Sequence, residues 1–180
     1  MKVIFLDHDG VICLAQQWGS RFKKKGFNRS RSTPLDHRMD NFDPTAIAVL
    51  RRILDKTDAE IVVSSDWRKF GTLEQMQEMY VTRGIKPPIG VTPFLENCEV
   101  PNGFIWSRDV DLEQTRSLEI LQWLKDHPEV THWVAVDDLD MSLRETSKFT
   151  WGLENFVCTP RSREGIKQSG IADKILKFIL

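Results

Sequence analysis

Apolar residues along this chain come in two kinds of pattern: short unbroken blocks of strand length, and longer stretches in which they recur every three or four residues. The first block, Val3-Ile4-Phe5-Leu6, runs straight into Asp7, His8, Asp9 and Gly10. It reads as a buried strand over 2–6. In "FDPTAIAVLRRILDKT" Asp43 suits the N-cap, Pro44 suits the first helical position, and Ala46, Ile47, Leu50 and Leu54 share a face, so a helix is expected. Ile61-Val62-Val63 is a second buried strand, stopped by Ser64 and Ser65. Thr72 and Gln75 stand in capping-box spacing before another helix, with Gly84 as its stop.

Ile89–Val91 is a short third strand, and 93–110 reads as loop. "DLEQTRSLEILQWLKDHP" is a helix with Asp111 as cap and Pro128 beyond its end. "THWVAVDDLD" is a fourth strand that again ends on carboxylates, and "NFVCT" is a weaker fifth. In the tail, Ile171, Ile175, Phe178 and Ile179 fall at helical spacing and predict a final amphipathic helix. Strands alternating with helices of this size imply right-handed crossovers and an α/β fold with a mainly parallel sheet. The first strand is expected at its centre, flanked by the second and fourth.

Ligands of such a sheet bind outside the carboxyl ends of its strands. Asp7 and Asp9, Ser64 and Ser65, and Asp137 and Asp138 all fall just past predicted strand ends. Up to four carboxylates in one pocket repel one another unless a cation lies among them. An all-oxygen ligand set favours a hard ion, and Mg²⁺ usually takes one or two carboxylates with water and substrate phosphate. Asp7, Asp9, Asp137 and Asp138 are the candidate metal ligands.

With a phosphoryl group drawn in, Asp7 can attack phosphorus. Asp9 can protonate the leaving oxygen and later take a proton from water. Ser64 can hydrogen-bond a phosphoryl oxygen, and Gly10 and Ser65 join the substrate-binding set. A cation on the side away from the metal is best supplied by Arg116, with Arg68 and Lys69 as rivals. His8 is read as packing, and Trp67 as a wall of the pocket.

Composition narrows this only a little. The 180 residues fit one domain over 1–180, and 41% hydrophobic with 28% charged is ordinary for a globular protein. A net charge of -1 declares neither an acidic nor a basic partner. Cys13, Cys98 and Cys158 are scattered and odd in number, which fits a reducing compartment better than a disulfide framework. With no apolar run of membrane length and no signal-peptide pattern at the start, a cytoplasmic location is expected.

Local charge says more. Residues 13–42 are polar and irregular and read as a flap over the site. Within it Lys23, Lys24 and Lys25, with Arg21, Arg29 and Arg31, alternate with Phe22 and Phe27. A solvated face explains such a run. So does a surface that follows a nucleic-acid backbone while its aromatics stack on bases.

"FLDHDGVI", "IVVSS" and "WVAVDD" resemble motifs I, II and IV of the haloacid dehalogenase-like (HAD) phosphohydrolases, and motif III would fall on Arg116. The resemblance spans roughly residues 2–140. It implies a Rossmann-like three-layer sandwich, Mg²⁺, and hydrolysis of a phosphomonoester through an aspartyl-phosphate on Asp7. In that family the residue at Asp9 ligates the metal through its backbone carbonyl. The insert after motif I is too short and too polar for a large cap domain, which leaves the site open to bulky substrates.

"SSDWR", "FDP" and "EILQWLKDHP" are similar to the HAD domains of bacterial and viral RNA-repair proteins, and polynucleotide phosphatases are a related comparison. Phosphorylated RNA or DNA ends are the substrates this implies. The alternative is a weakly active or inactive HAD-like scaffold that binds nucleic acid through its flap. A receiver domain also uses a strand-end acidic pocket, but it places an acidic pair after the first strand, its acceptor Asp after the third and a Lys late, whereas this chain has Asp-x-Asp-Gly first and its acidic pair last.

Overall fold

A computed structural model describes residues 1–14, 42–97, 112–145 and 150–180. Lys23, Lys24 and Lys25, the rest of the basic flap over 15–41, Cys98 and the expected cap Asp111 lie outside the described residues. Five strands form one parallel sheet: β1 (Lys2–Leu6), β2 (Glu60–Val63), β3 (Gly90–Val91), β4 (His132–Asp137) and β7 (Phe156–Cys158). Their spatial order is β3-β2-β1-β4-β7, with β1 central between β2 and β4. The register pairs Leu6 with Val63 and with Val136, so these three strands end level with one another. A separate antiparallel pair, β5 (Arg144–Glu145) and β6 (Thr150–Trp151), was not expected from the sequence.

Among the described residues four α-helices cover the sheet: α1 (Pro44–Thr57), α2 (Leu73–Thr82), α3 (Leu112–Asp126) and α4 (Ile171–Ile179). The helix ends follow local chemistry. Asp43 Oδ1 accepts from the Ala46 N–H at 2.8 Å, and Pro44 opens α1. Thr72 and Gln75 close a reciprocal capping box on α2, and Gly84 follows at φ +64°. In α4 the i, i+4 series Ile171, Ile175 and Ile179 is buried. Among the described residues no helix is long and apolar enough to cross a membrane.

Strand alternation divides the core into two layers. Ile4 and Leu6, with Ile61, Val63, Val134 and Val136, pack in a cluster with residues of α1, α2 and α4. Val3 and Phe5, with Val62 and Ala135, pack on the other face with Ile120 and Trp123 of α3. Phe5 meets the Trp123 ring edge-on at 5.4 Å. The same period of two, carried one step past the strand ends, decides which functional side chains face which layer. This is the α/β architecture with a parallel sheet expected from the chain's alternation of strands and helices, and the Rossmann-like arrangement that the family resemblance implies.

Candidate active site

Asp7 follows Leu6 with the parity of Val3 and Phe5, Asp137 has that of Ala135, and Ser64 that of Val62. All three therefore turn toward the α3 layer, and α3 supplies Arg116 there. The sheet ladder continues far enough to hold them. The Asp7 N–H donates to Val136 O at 3.0 Å, and the Ser64 N–H to Leu6 O at 2.9 Å. The Thr159 N–H donates to Asp137 O at 2.8 Å.

Beyond Asp7 the chain turns tightly. His8 O accepts from the N–H groups of Ile12 at 3.0 Å and Cys13 at 2.7 Å. Gly10 sits at φ +76°, and a Cβ built there would lie 2.1 Å from Asp138 Oδ2. Only glycine allows that backbone angle and that approach at once. Motif I and the acidic strand end are thus in direct contact, and Thr159 Oγ1 ties the turn down by donating to Gly10 O at 3.2 Å.

The charges in this pocket do not balance. Oxygens of Asp7, Asp137 and Asp138 lie within 4.8 Å of one another, and Asp7 and Asp137 are buried. Arg116, itself buried, places Nη1 2.8 Å from Asp137 Oδ2 and 3.4 Å from Asp7 Oδ1. Its Nη2 lies 3.6 Å from Asp66. Burial alone would lower the Arg116 pKa, but Asp7 and Asp137 outweigh it and raise it, so the guanidinium stays charged.

One cation does not neutralise the group. Burial, with Asp137 beside it, holds the Asp7 carboxyl well above the usual carboxylate range despite Arg116 and a Ser65 hydrogen bond. Burial and then Asp137 push Asp138 up to about 6. Burial likewise raises Asp137, with Arg116 opposing it. Three carboxylates that hold their protons too tightly, all offering oxygen, fit a small hard divalent cation. Asp137 already has the guanidinium, which leaves Asp7 and Asp138 as the side chains best able to hold such an ion. Asp9 stands apart from that trio. Its Oδ2 accepts from the Trp67 indole N–H at 2.9 Å.

Ser64 Oγ is buried and has no hydrogen-bond partner among the described residues. A buried hydroxyl without a partner in a pocket that would receive an oxyanion has donor capacity for it. Ser65 caps the short 3₁₀ turn Asp66–Lys69, its Oγ 3.4 Å from the Trp67 N–H, and its side chain acts to lower the pKa of Asp7. His8 has the opposite parity from Asp7 and enters the other layer. Its Nε2 lies 2.6 Å from the Tyr80 hydroxyl, and burial drives its pKa down to about 3, so it is a neutral packing residue.

Arg68, expected to bind substrate, has a different task. It is buried, Nη2 bonds Glu119 Oε2 of α3, and Nη1 bonds the hydroxyl and carbonyl of Thr92. Its guanidinium lies over the Phe94 ring at 4.9 Å. Charge type alone did not separate Arg68 from Arg116, because the partner that captures Arg68 is Glu119 on α3. Lys69 pairs with Asp66 at 3.0 Å with both side chains nearly half exposed. The sequence reading also passed over Thr159 and Asp66. The rule that ligands gather at the carboxyl ends of parallel strands would have found Thr159 just past β7.

The family model described as the HAD domain in Swiss Army Knife RNA repair proteins matches residues 3–169. No curated protein and no solved structure matches the chain. The chain belongs to that family of HAD domains, and with it to the HAD-family phosphohydrolases.

Proposed function

With that membership as premise, we propose that the protein is a Mg²⁺-dependent phosphomonoesterase that works through an aspartyl-phosphate on Asp7, with phosphorylated RNA or DNA ends as its substrates. The observation that carries the reading is the charge deficit at Asp7, Asp137 and Asp138, three close carboxylates facing Arg116. Bound Mg²⁺ would neutralise the developing charge on the phosphoryl oxygens and lower the pKa of Asp7, keeping it ionised at neutral pH.

This chain's own residues divide the remaining work. Asp7 carboxylate attacks phosphorus and the P–O bond to the leaving group breaks. Asp9 gives its proton to the departing oxygen, then takes a proton from the water that hydrolyses the acyl phosphate, which restores both aspartates. Arg116 holds Asp7 in line from the side of Asp137. The hydroxyl of Ser64 and the backbone of the Gly10 turn receive phosphoryl oxygens. Asp138, seated on Gly10, would hold the ion together with Asp7.

Nucleic-acid ends are supported by the RNA-repair family and by the basic run that follows motif I in the sequence. A screen of phosphate release with Mg²⁺ and with EDTA, across 3′- and 5′-phosphorylated oligonucleotides, nucleotides, phosphopeptides and sugar phosphates, tests the reading. Oligonucleotide ends should lead, and Lys23, Lys24 and Lys25 neutralised together should raise KM for them and flatten the salt dependence. Full activity in EDTA would remove the metal from the mechanism. Equal rates on all substrates would remove the nucleic acid.

A further inference from the structure

Asp9 is the acid–base group of the proposed mechanism, yet it stands past the strand end, half-buried and outside the carboxylate trio. A group that must face the leaving oxygen and later a water needs something to hold its plane. Trp67 is placed to do so. Its indole N–H donates to Asp9 Oδ2 at 2.9 Å, and the indole itself is almost wholly buried. It stacks on Phe42 at 5.7 Å with 21° between the rings and meets His8 edge-on at 4.8 Å. Its backbone is fixed in the Asp66–Lys69 turn by the Ser65 cap and by the Phe70 N–H, which donates to Trp67 O at 2.9 Å.

We infer that Trp67 is a positioning residue for catalysis: its indole N–H fixes the Asp9 carboxyl so that Oδ2 is the permanent acceptor and Oδ1 carries the transferred proton. The chemistry of a carboxylic acid favours this division. The carbonyl oxygen is the stronger acceptor of an N–H bond, and a proton on Oδ2 would crowd the indole hydrogen. As the P–O bond breaks, the Oδ1 proton goes to the leaving alkoxide while Asp7 gains the phosphoryl group. In the second half the same oxygen takes a proton from water. The neighbours explain why a tryptophan stands here. His8 is a neutral packing group, and the buried layer of Phe42, His8 and Tyr80 makes a rigid bed for one large ring whose polar edge reaches the site.

This inference rests on the reading of Asp9 as general acid, and leaving-group chemistry tests the two separately. kcat/KM reports steps up to phosphoryl transfer, so it should be measured for a series of substituted phenyl phosphates from dinitrophenyl to methoxyphenyl. A good leaving group needs no proton, whereas a poor one does. Trp67→Phe keeps the packing and removes the N–H. Its kcat/KM should fall roughly 10- to 100-fold for methoxyphenyl phosphate and less than about 3-fold for dinitrophenyl phosphate, the direction Asp9→Asn takes more steeply.

Phe42→Leu, which loosens the indole and retains the N–H, should give an intermediate slope, and it carries the test if Trp67→Phe does not fold. An equal fall across the series, or an unchanged slope in both variants while Asp9→Asn is steep, overturns the role of Trp67 alone. A wild-type slope in Asp9→Asn overturns the acid assignment and the inference with it.

Discussion

Two buried arginines, Arg68 and Arg116, face carboxylates, one pairing with α3 and the other carried on it, and they do different things. Arg68 meets Glu119 through Nη2 and Thr92 through Nη1, while its buried Nε has no hydrogen-bond partner among the described residues, so the charges are balanced: one cation, one anion, neutral acceptors. Arg116 meets Asp7 and Asp137, with Asp66 at its other edge and Asp138 within the same acidic group. A balanced buried pair is a brace. It links the turn after β2 to α3, and nothing further is drawn to it. An unbalanced group stores repulsion that a bound cation relieves. What separates the two arginines is thus the surplus of carboxylates around Arg116 rather than burial or sequence context.

The sharpest way to break this contrast is to exchange the losses. Asp7→Asn removes the nucleophile and should lower turnover at least about 1,000-fold while leaving the melting temperature unchanged or raised, since it removes one of the repelling charges. Glu119→Ala should do the reverse. It strands the Arg68 guanidinium in the interior and should cost about 3–5 kcal/mol by denaturant titration, with turnover per folded molecule kept. If Glu119→Ala lost turnover in a fully folded protein, the brace would belong to the site.

The next effect is a pH dependence that belongs to one side. Burial, and then the Asp137 carboxylate, push Asp138 up to about 6, above the ordinary aspartate range. The folded state therefore holds this proton more tightly, and the contribution is full below the unfolded value and lost as pH rises through about 6. In metal-free protein Asp138→Asn should match the wild type near pH 4 and become more stable than it by up to about 2–3 kcal/mol by pH 7. Saturating Mg²⁺ at pH 7 should reverse that order by binding the wild-type folded state. Thermal melts of both proteins across pH, with and without Mg²⁺, check the sign.

The smallest effect concerns Lys69, the remaining rival. Its pair with Asp66 is nearly half exposed on both sides, so Lys69→Ala should change stability by less than about 1 kcal/mol and leave turnover within a factor of a few. A large loss of turnover would give Lys69 part of the cationic role proposed for Arg116.

The sequence carried the frame of this site because strands report through a period of two. Asp7, Ser64 and Asp137 could be placed at adjacent strand ends, and the caps at Asp43 and Thr72 fixed where α1 and α2 begin. Contacts between distant segments left no such trace. Nothing in the local pattern pairs Arg68 with Glu119, and nothing announces that Asp138 lies on Gly10. Nor does a pairing as short as β5 with β6 carry a hydrophobic period to detect. Trp67 could be singled out by its place beside the serines, but its bond to Asp9 depends on the ring stack beneath it.

The most direct test of the phosphotransfer reading is a covalent trap on Asp7. Asp9→Asn slows hydrolysis of an acyl phosphate, and an aryl phosphate with a good leaving group forms it without needing that acid. After incubation of Asp9→Asn with dinitrophenyl phosphate and Mg²⁺ and an acid quench, peptide mass spectrometry should find one phosphoryl group on Asp7, absent when EDTA replaces the metal. A protein that releases phosphate from this substrate yet never carries the group on Asp7, or carries it on another residue, would contradict the account.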